Sequence, residues 1–279
     1  MKFRFSGCPA FRLLGAVALL LACSSPAAAQ FGPKKQTEPG VGENYVLEIQ
    51  YLWWKPDLIG SVTSDRLDLV GSRVDLVGDL GFKGDTRFRD WRFTLKPGRK
   101  HKIRVEYSPL KFEAEGVLTR EINFAGETFP VSLPIESSLE WKVWRIGYEW
   151  DFISRSRGYL GVMFEVRKTD LTAELNSLVA SGEVLASAPL PAIGVVARVY
   201  PLPDLAVHFE FSGMKAPDSF FGDRFSGVYT DMELSAIVNI SKNLGITGGW
   251  RRMNTDIRVS EDFGDLKFRG YSFGAAVRF

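Results

Sequence analysis

Ten segments of this sequence alternate apolar and polar side chains residue by residue. A period of two puts the two sets on opposite faces of a strand, so the chain is confined to sheets with one greasy and one ionised face. The cleanest segment is Glu140–Phe152, where Trp144, Ile146, Tyr148, Trp150 and Phe152 oppose Arg145, Gly147, Glu149 and Asp151. The others are Tyr45–Trp54, Arg89–Lys96, Lys102–Leu118, Tyr159–Arg167, Ala192–Tyr200, Leu205–Ser212, Val228–Ile240, Leu244–Met253 and Lys267–Phe279. Beyond residue 30 no stretch keeps a helical period. Within Lys102–Leu118, Pro109 predicts a bulge and a change of face before Phe112.

The connections alternate in length. Pro97–Lys100, Ser154–Arg157, Leu202–Asp204 and Ser241–Asn243 are tight turns, whereas Pro56–Thr86, Thr119–Ser138, Thr169–Leu190, Gly213–Ser226 and Asn254–Leu266 read as long loops. Short turns at one end and long loops at the other predict an all-β, antiparallel, up-and-down transmembrane β-barrel of about ten strands, with eight to twelve allowed. Both termini then lie at the short-turn, periplasmic end.

The polar face is densely ionised, by acids and bases together. Asp90, Arg92, Lys96, Arg104, Glu106, Arg145, Glu149, Asp151, Glu165, Arg167, Arg198, Glu210, Asp231, Glu233, Arg251 and Arg278 all fall on it, with His208 beside Glu210. Opposite charges can pair across a narrow lumen while the apolar face meets hydrocarbon, so these positions are expected to form a luminal charge network. Trp53, Trp54, Trp91, Trp144, Trp150, Tyr148 and Trp250 are candidates for the aromatic girdles at the two interfaces.

The first 29 residues carry a basic stretch from Lys2 to Arg12, an apolar run from Leu13 to Ala22, and Ala27-Ala28-Ala29 before Gln30. This is the pattern of a cleaved secretory signal, and its apolar core is too short to span a bilayer. A rival reading makes Leu20-Leu21-Ala22-Cys23 a lipoprotein cleavage box. Cys8 and Cys23 are the two cysteines of the chain, so cleavage after Ala29 excludes disulfide and thiolate chemistry. Gln30–Gly42, rich in Pro, Gly and Lys, is expected to be a flexible periplasmic leader, and 43–279 the barrel. Of the chain's 35 bases the signal takes three, leaving a near-neutral remainder against 33 acids. That balance excludes general nucleic-acid binding.

The last strand runs Tyr271-Ser272-Phe273-Gly274-Ala275-Ala276-Val277-Arg278-Phe279, apolar or aromatic at every odd position but one-sided in charge. Here the sequence resembles bacterial outer-membrane β-barrels, whose terminal strand ends in an aromatic residue. The resemblance implies that Tyr271, Phe273, Val277 and Phe279 form the signal read by the barrel-assembly machinery. Arg73–Phe82, Arg104–Leu110 and Phe124–Pro130 further resemble a group of uncharacterised predicted outer-membrane proteins of Gram-negative bacteria, which implies a fold and no activity.

In the first loop, Arg66-Leu67-Asp68-Leu69-Val70-Gly71 recurs as Arg73-Val74-Asp75-Leu76-Val77-Gly78. Two copies are too few for a solenoid and suggest an extracellular hairpin or strand extension, one version of which makes twelve strands. Ile122–Val131 reads as another hairpin standing above the membrane. Gly248-Gly249 marks close packing or curvature within a strand.

Chemistry is sparse. His101 falls in a tight turn and reads as a surface residue; His208 falls near the periplasmic end and reads as a luminal hydrogen-bond partner. Barrel hydrolases, which the chain resembles in size, carry histidine at the opposite rim. Two distant histidines make no zinc site, and no calcium loop or cofactor motif is present. The loop carboxylates Asp218, Asp223, Glu261, Asp262 and Asp265 read as a solvated surface able at most to hold divalent cations weakly. The expectation is a monomeric, non-enzymatic barrel in the outer membrane of a Gram-negative bacterium, contacting outer-membrane lipids and serving as a structural surface protein or small-solute pore. Two alternatives stay open: a barrel enzyme acting on lipid A or peptides, and a soluble periplasmic β-sandwich.

Overall fold

A computed structural model describes residues 40–64, 72–82, 87–216, 225–259 and 262–279. The signal segment, the leader up to residue 39, the first repeat copy and the loop acids Asp218, Asp223 and Glu261 lie outside the described residues. Among the described residues there is no helix. The strands are β1 (Leu47–Ser64), β2 (Val74–Asp75), β3 (Phe88–Gly98), β4 (His101–Val117), β5 (Ile122–Phe124), β6 (Glu127–Phe129), β7 (Pro134–Arg155), β8 (Gly158–Asn176), β9 (Ser181–Leu202), β10 (Leu205–Ala216), β11 (Phe225–Asn239), β12 (Leu244–Val259) and β13 (Asp262–Arg278).

Ten of these close a barrel. β1, β3, β4 and β7 to β13 pair antiparallel in order, and β13 returns to β1 along its full length, from Glu48 opposite Arg278 to Ser64 opposite Asp262. The twelve-strand alternative is therefore excluded: the second repeat copy contributes β2, which pairs with Ser61 and Val62 of β1 and then turns through Leu76–Leu80.

The register fixes the shape. One row of outward-facing partners runs Leu47, Leu95, Ile103, Tyr148, Phe164, Ile193, Gly213, Thr230, Asn254 and Lys267, then meets β1 again at Ile59. Between Leu47 and Ile59 the row has climbed twelve residues, so the strands tilt by about 40°, as ten strands with that stagger must.

The strands are much longer than a bilayer requires. A tilted strand crosses with about 9–11 residues, yet β7 and β9 each have 22. The segment 169–190, expected as a long loop, is instead the continuation of β8 and β9 around a turn at 177–180, and 254–266 is likewise mostly strand. A period-two pattern does continue there, with its apolar side reversed, which is why it escaped a reading that followed one greasy face.

Pro109 shows the same reversal. β4 pairs with β7 without a break from His101 opposite Trp150 to Val117 opposite Pro134, so the expected bulge and change of face do not occur. Lys102, Glu106, Ser108, Leu110 and Phe112 are all buried and all point inward. What changes at Pro109 is the composition of the inside, from ionic to apolar.

The outer wall changes at the same height. Its lower part is apolar, followed by an aromatic row in which Tyr51 lies 4.5 Å from Trp91 and Tyr107 stacks at 4.4 Å on Trp144. Trp54 is buried inside, 2% exposed, and belongs to no girdle: on β1 the even positions face inward, as Glu48 and Leu52 also do. Above the aromatics, the first outward acid or base is cationic on eight of the ten barrel strands: Lys55, Arg89, Lys111, Lys142, Lys168, Lys215, Arg252 and Arg269. Acids follow higher up, several of them two residues along the same strand, as in Lys142–Glu140 at 2.8 Å and Lys111–Glu113 at 2.6 Å.

Candidate functional site

The interior is built in two storeys. In the lower one every barrel strand contributes inward charge, and the ion pairs of β3, β4, β7, β8, β10, β11 and β12 form one connected lattice. Arg145 bonds Glu165 at 2.5 Å, Glu106 at 3.0 Å, and also Glu210. Arg251 reaches Asp90 at 3.1 Å, Glu106 at 2.7 Å and Asp231 at 2.8 Å. Arg92 joins Asp90 and Glu233, each at 2.8 Å, and Arg104 joins Glu149 at 3.2 Å and Glu210 at 2.6 Å. Arg167 holds Glu165 at 2.6 Å and Asp231 at 3.0 Å, with Ser212 and Tyr229 as further acceptors.

Lower still, Arg278 pairs with Glu48 at 2.5 Å and donates to Asn239, while Arg198 lies 3.9 Å from Glu48. His208 Nε2 is 3.6 Å from Glu210, whereas His101 is exposed at the foot of β4 with Nδ1 2.6 Å from the Tyr148 hydroxyl. Of the inward residues named from the sequence, Lys96, Arg198 and Arg278 stand with Glu43 and Glu48 in a second, lower group, apart from the lattice around Arg145 and Arg251. Sequence reasoning missed Glu48 and Lys102, although both have the inward parity; Lys102 bonds Glu149 at 2.6 Å and Asp151 at 3.0 Å.

Such an assembly leaves little free space. Desolvating so many charges is tolerable because Arg92, Lys102, Arg104, Arg145, Arg167 and Arg251 each meet two or three carboxylates. The cavity enclosed among Tyr45, Glu48, Arg104 and His208 measures about 20 Å³, room for about one water.

The upper storey is a hydrophobic core enclosed by the strand extensions. Trp54, Leu110, Phe112, Leu139, Trp141, Met253 and Phe268 are each at most 2% exposed and pack as one cluster. Phe112 lies 4.8 Å from Phe88 and 6.0 Å from Phe268, which lies 4.7 Å from Trp141. Two inward-folded pieces complete it. The turn after β2 inserts Leu76, Leu80 and Phe82, and its Asp75 carboxylate accepts from the Val77 and Gly78 amides. The β5–β6 hairpin turns at Ala125 and Gly126, both at positive φ, and buries Ile122, Phe124 and Phe129. The hairpin expected at Ile122–Val131 is thus present, and it packs as a lid on the core. Arg120 ties the two pieces together, bonding Asp79 at 2.5 Å and the Arg73 carbonyl at 2.7 Å.

The lower mouth is crossed by Gly40–Val46. Gly40 N donates to Ser156 O at 2.9 Å, Val41 N to Pro203 O at 2.6 Å, and Glu43 accepts from Lys96 at 2.8 Å and from the Tyr200 hydroxyl at 2.9 Å. Gly42 has φ +84°, and a Cβ there would press on the Arg278 guanidinium, so this crossing demands glycine. Of Gly248 and Gly249, the second has the close packing expected: its Cβ would fall 2.6 Å from that of Ser235. Among the described residues no group of histidine and acidic side chains could hold a metal ion.

No protein-family model matches the sequence, and no curated protein matches it. Solved structures do match. The outer-membrane protease OmpT from Escherichia coli aligns over 84% of this chain and 96% of its own at 10% identity, with a TM-score of 0.50. The attachment invasion locus protein Ail of Yersinia pestis aligns over 85% of this chain and 100% of its own at 9% identity and TM-score 0.36. The toluene transporter TodX of Pseudomonas putida aligns over 92% and 93% at 9% identity and TM-score 0.36. At this identity the OmpT alignment speaks to fold alone, and with the closed ten-strand register it gives that fold: the chain has the fold of outer-membrane β-barrel proteins.

Proposed function

We propose that this protein resides in the outer membrane of a Gram-negative bacterium as a closed, monomeric, non-enzymatic barrel, and that its role is to hold a rigid capped surface above the membrane. The carrying observation is the apolar core across the upper barrel, from Trp54 and Phe112 to Trp141 and Phe268. A diffusion pore keeps a polar, hydrated path along its whole length; here a dry core stands above an ionic lattice, and both storeys are packed. The non-enzymatic reading is supported by the height of His101 and His208, which both lie in the lower half, away from the capped end. The last strand supports insertion by the assembly machinery, with Tyr271, Phe273, Val277 and Phe279 all facing outward and exposed by 39% or more.

The test is conductance of the purified full chain in planar bilayers. The proposal expects no stable unitary current in wild type. A reproducible open level in wild type restores the small-solute pore and removes the closed-barrel reading.

A further inference from the structure

A barrel wall is convex, and lipid chains normally slide over it. On one side of this barrel the wall is instead indented by a groove of about 730 Å³, within the size range of small-ligand sites. The indentation has a simple cause. Its floor includes Gly213, where β10 projects no side chain, directly opposite the exposed Ile193 of β9. From there the groove follows one row of hydrogen-bonded partners across five strands, through Phe164 and Tyr148 to Ile103. Because the register climbs with each strand, the groove is inclined: it begins low on the apolar wall at Ile103 and rises to Lys215. Glu165 contributes to the floor, but its carboxylate points inward to Arg145 and Arg167.

Lys215 is one of the eight cations that open the charged zone of the wall, and it is exposed. Among the described residues no carboxylate lies within ion-pair distance of it, and Lys168, on β8, stands at a similar height. The groove thus offers an apolar trough that ends at a cation in the headgroup zone. This is the chemistry of an acyl chain joined to a phosphate.

We propose that the groove is a binding site for one molecule of the phosphorylated glycolipid of the outer leaflet, lipid A, with an acyl chain along the Ile103–Gly213 row and a phosphate on Lys215. The proposal rests on the outer-membrane reading above. Anionic lipid gains from the ammonium, and the apolar trough fixes the chain that carries it.

The experiment is native mass spectrometry of the full chain purified in detergent, offered equal concentrations of diphosphoryl lipid A, phosphatidylethanolamine and cardiolipin. Lipid A adducts are expected to exceed those of phosphatidylethanolamine by about tenfold, and Lys215→Glu to lower lipid A retention by about tenfold, the loss of one charge-assisted phosphate contact. Gly213→Val, which fills the trough without altering charge, is expected to lower it as well. Equal retention of phosphatidylethanolamine, cardiolipin matching lipid A, or retention unchanged in Lys215→Glu overturns the proposal. The two readings fail separately. A chain that shows heat-modifiable migration in detergent yet binds lipid A no better than the others loses only this site, whereas a chain that stays folded in detergent-free buffer loses the outer-membrane reading itself.

Discussion

Arg145 and Val143 sit two residues apart on β7 and point the same way into the barrel, yet the first is held by Glu106, Glu165 and Glu210 and the second lines the apolar storey. On the outer face, between the same levels, Trp144 gives way to Lys142. Inside and outside exchange character across a single pleat. The outer-membrane reading accounts for this: with hydrocarbon outside below that level charge is enclosed, and with water outside above it the apolar set is enclosed.

Arg145→Leu leaves three carboxylates facing one another without their shared cation. Breaking a buried pair of this kind costs about 3–5 kcal/mol. A chemical unfolding curve of the detergent-folded protein, followed by heat-modifiable migration, should show a clearly lower midpoint. A midpoint equal to wild type would mean that the neighbouring arginines absorb the loss.

Phe112→Ala tests the upper storey. Phe112 is 1% exposed and touches the rings of Phe82, Phe88 and Phe268, and truncating a buried phenylalanine costs about 3–5 kcal/mol. The loss falls outside the bilayer, so protease should cleave 72–82 and 122–129 much faster while the heat-modifiable band persists. Loss of that band together with the cleavage would show that the two storeys fold as one unit.

Acid should loosen the turn after β2. Burial raises the Asp79 carboxyl, but the hydrogen bonds from Arg120 and the Asp75 amide, with the Arg120 charge, outweigh it and hold the group below its ordinary value. A carboxyl lowered by folding stabilises fully above its unfolded value of about 3.9, and that support is lost as pH falls through the folded value. Cleavage of 72–82 should therefore be flat from neutral pH down to about pH 4 and rise below it. Arg120→Ala should give fast cleavage already at neutral pH and remove this step.

Closure of the barrel depends on a bare backbone at Gly274. A Cβ there would fall 2.8 Å from the Leu52 Cα and closer still to the Tyr51 carbonyl, in the β1–β13 seam. Gly274→Val should abolish the heat-modifiable band in refolding into detergent. Gly116→Ala, where a Cβ meets nothing within 4 Å, should fold as wild type. Equal folding yields for the two would show that the seam yields to a side chain.

The strands, their order and the ionic lumen were legible because a lipid-facing strand writes one unbroken stripe into the sequence. The upper storey was harder to read because that stripe changes parity: Ile103, Val105 and Tyr107 hand over to Leu110 and Phe112, and Trp144 and Ile146 to Trp141 and Leu139. A parity change without a register break looks the same as a bulge until the partner strand is known. Glu43 had no periodic signal at all, since it lies in a Gly- and Pro-rich stretch and meets Lys96, Arg198 and Tyr200 only through the closed fold.

The crossing at the lower mouth has a consequence for the order of assembly. Its anchors, Ser156, Pro203, Lys96 and the Phe279 carbonyl, come from turns and strand ends spread around the circumference. They stand at the right separations only after the final seam has zipped. Gly40–Val46 is therefore a latch that can fasten last, and its fastening certifies a completed ring.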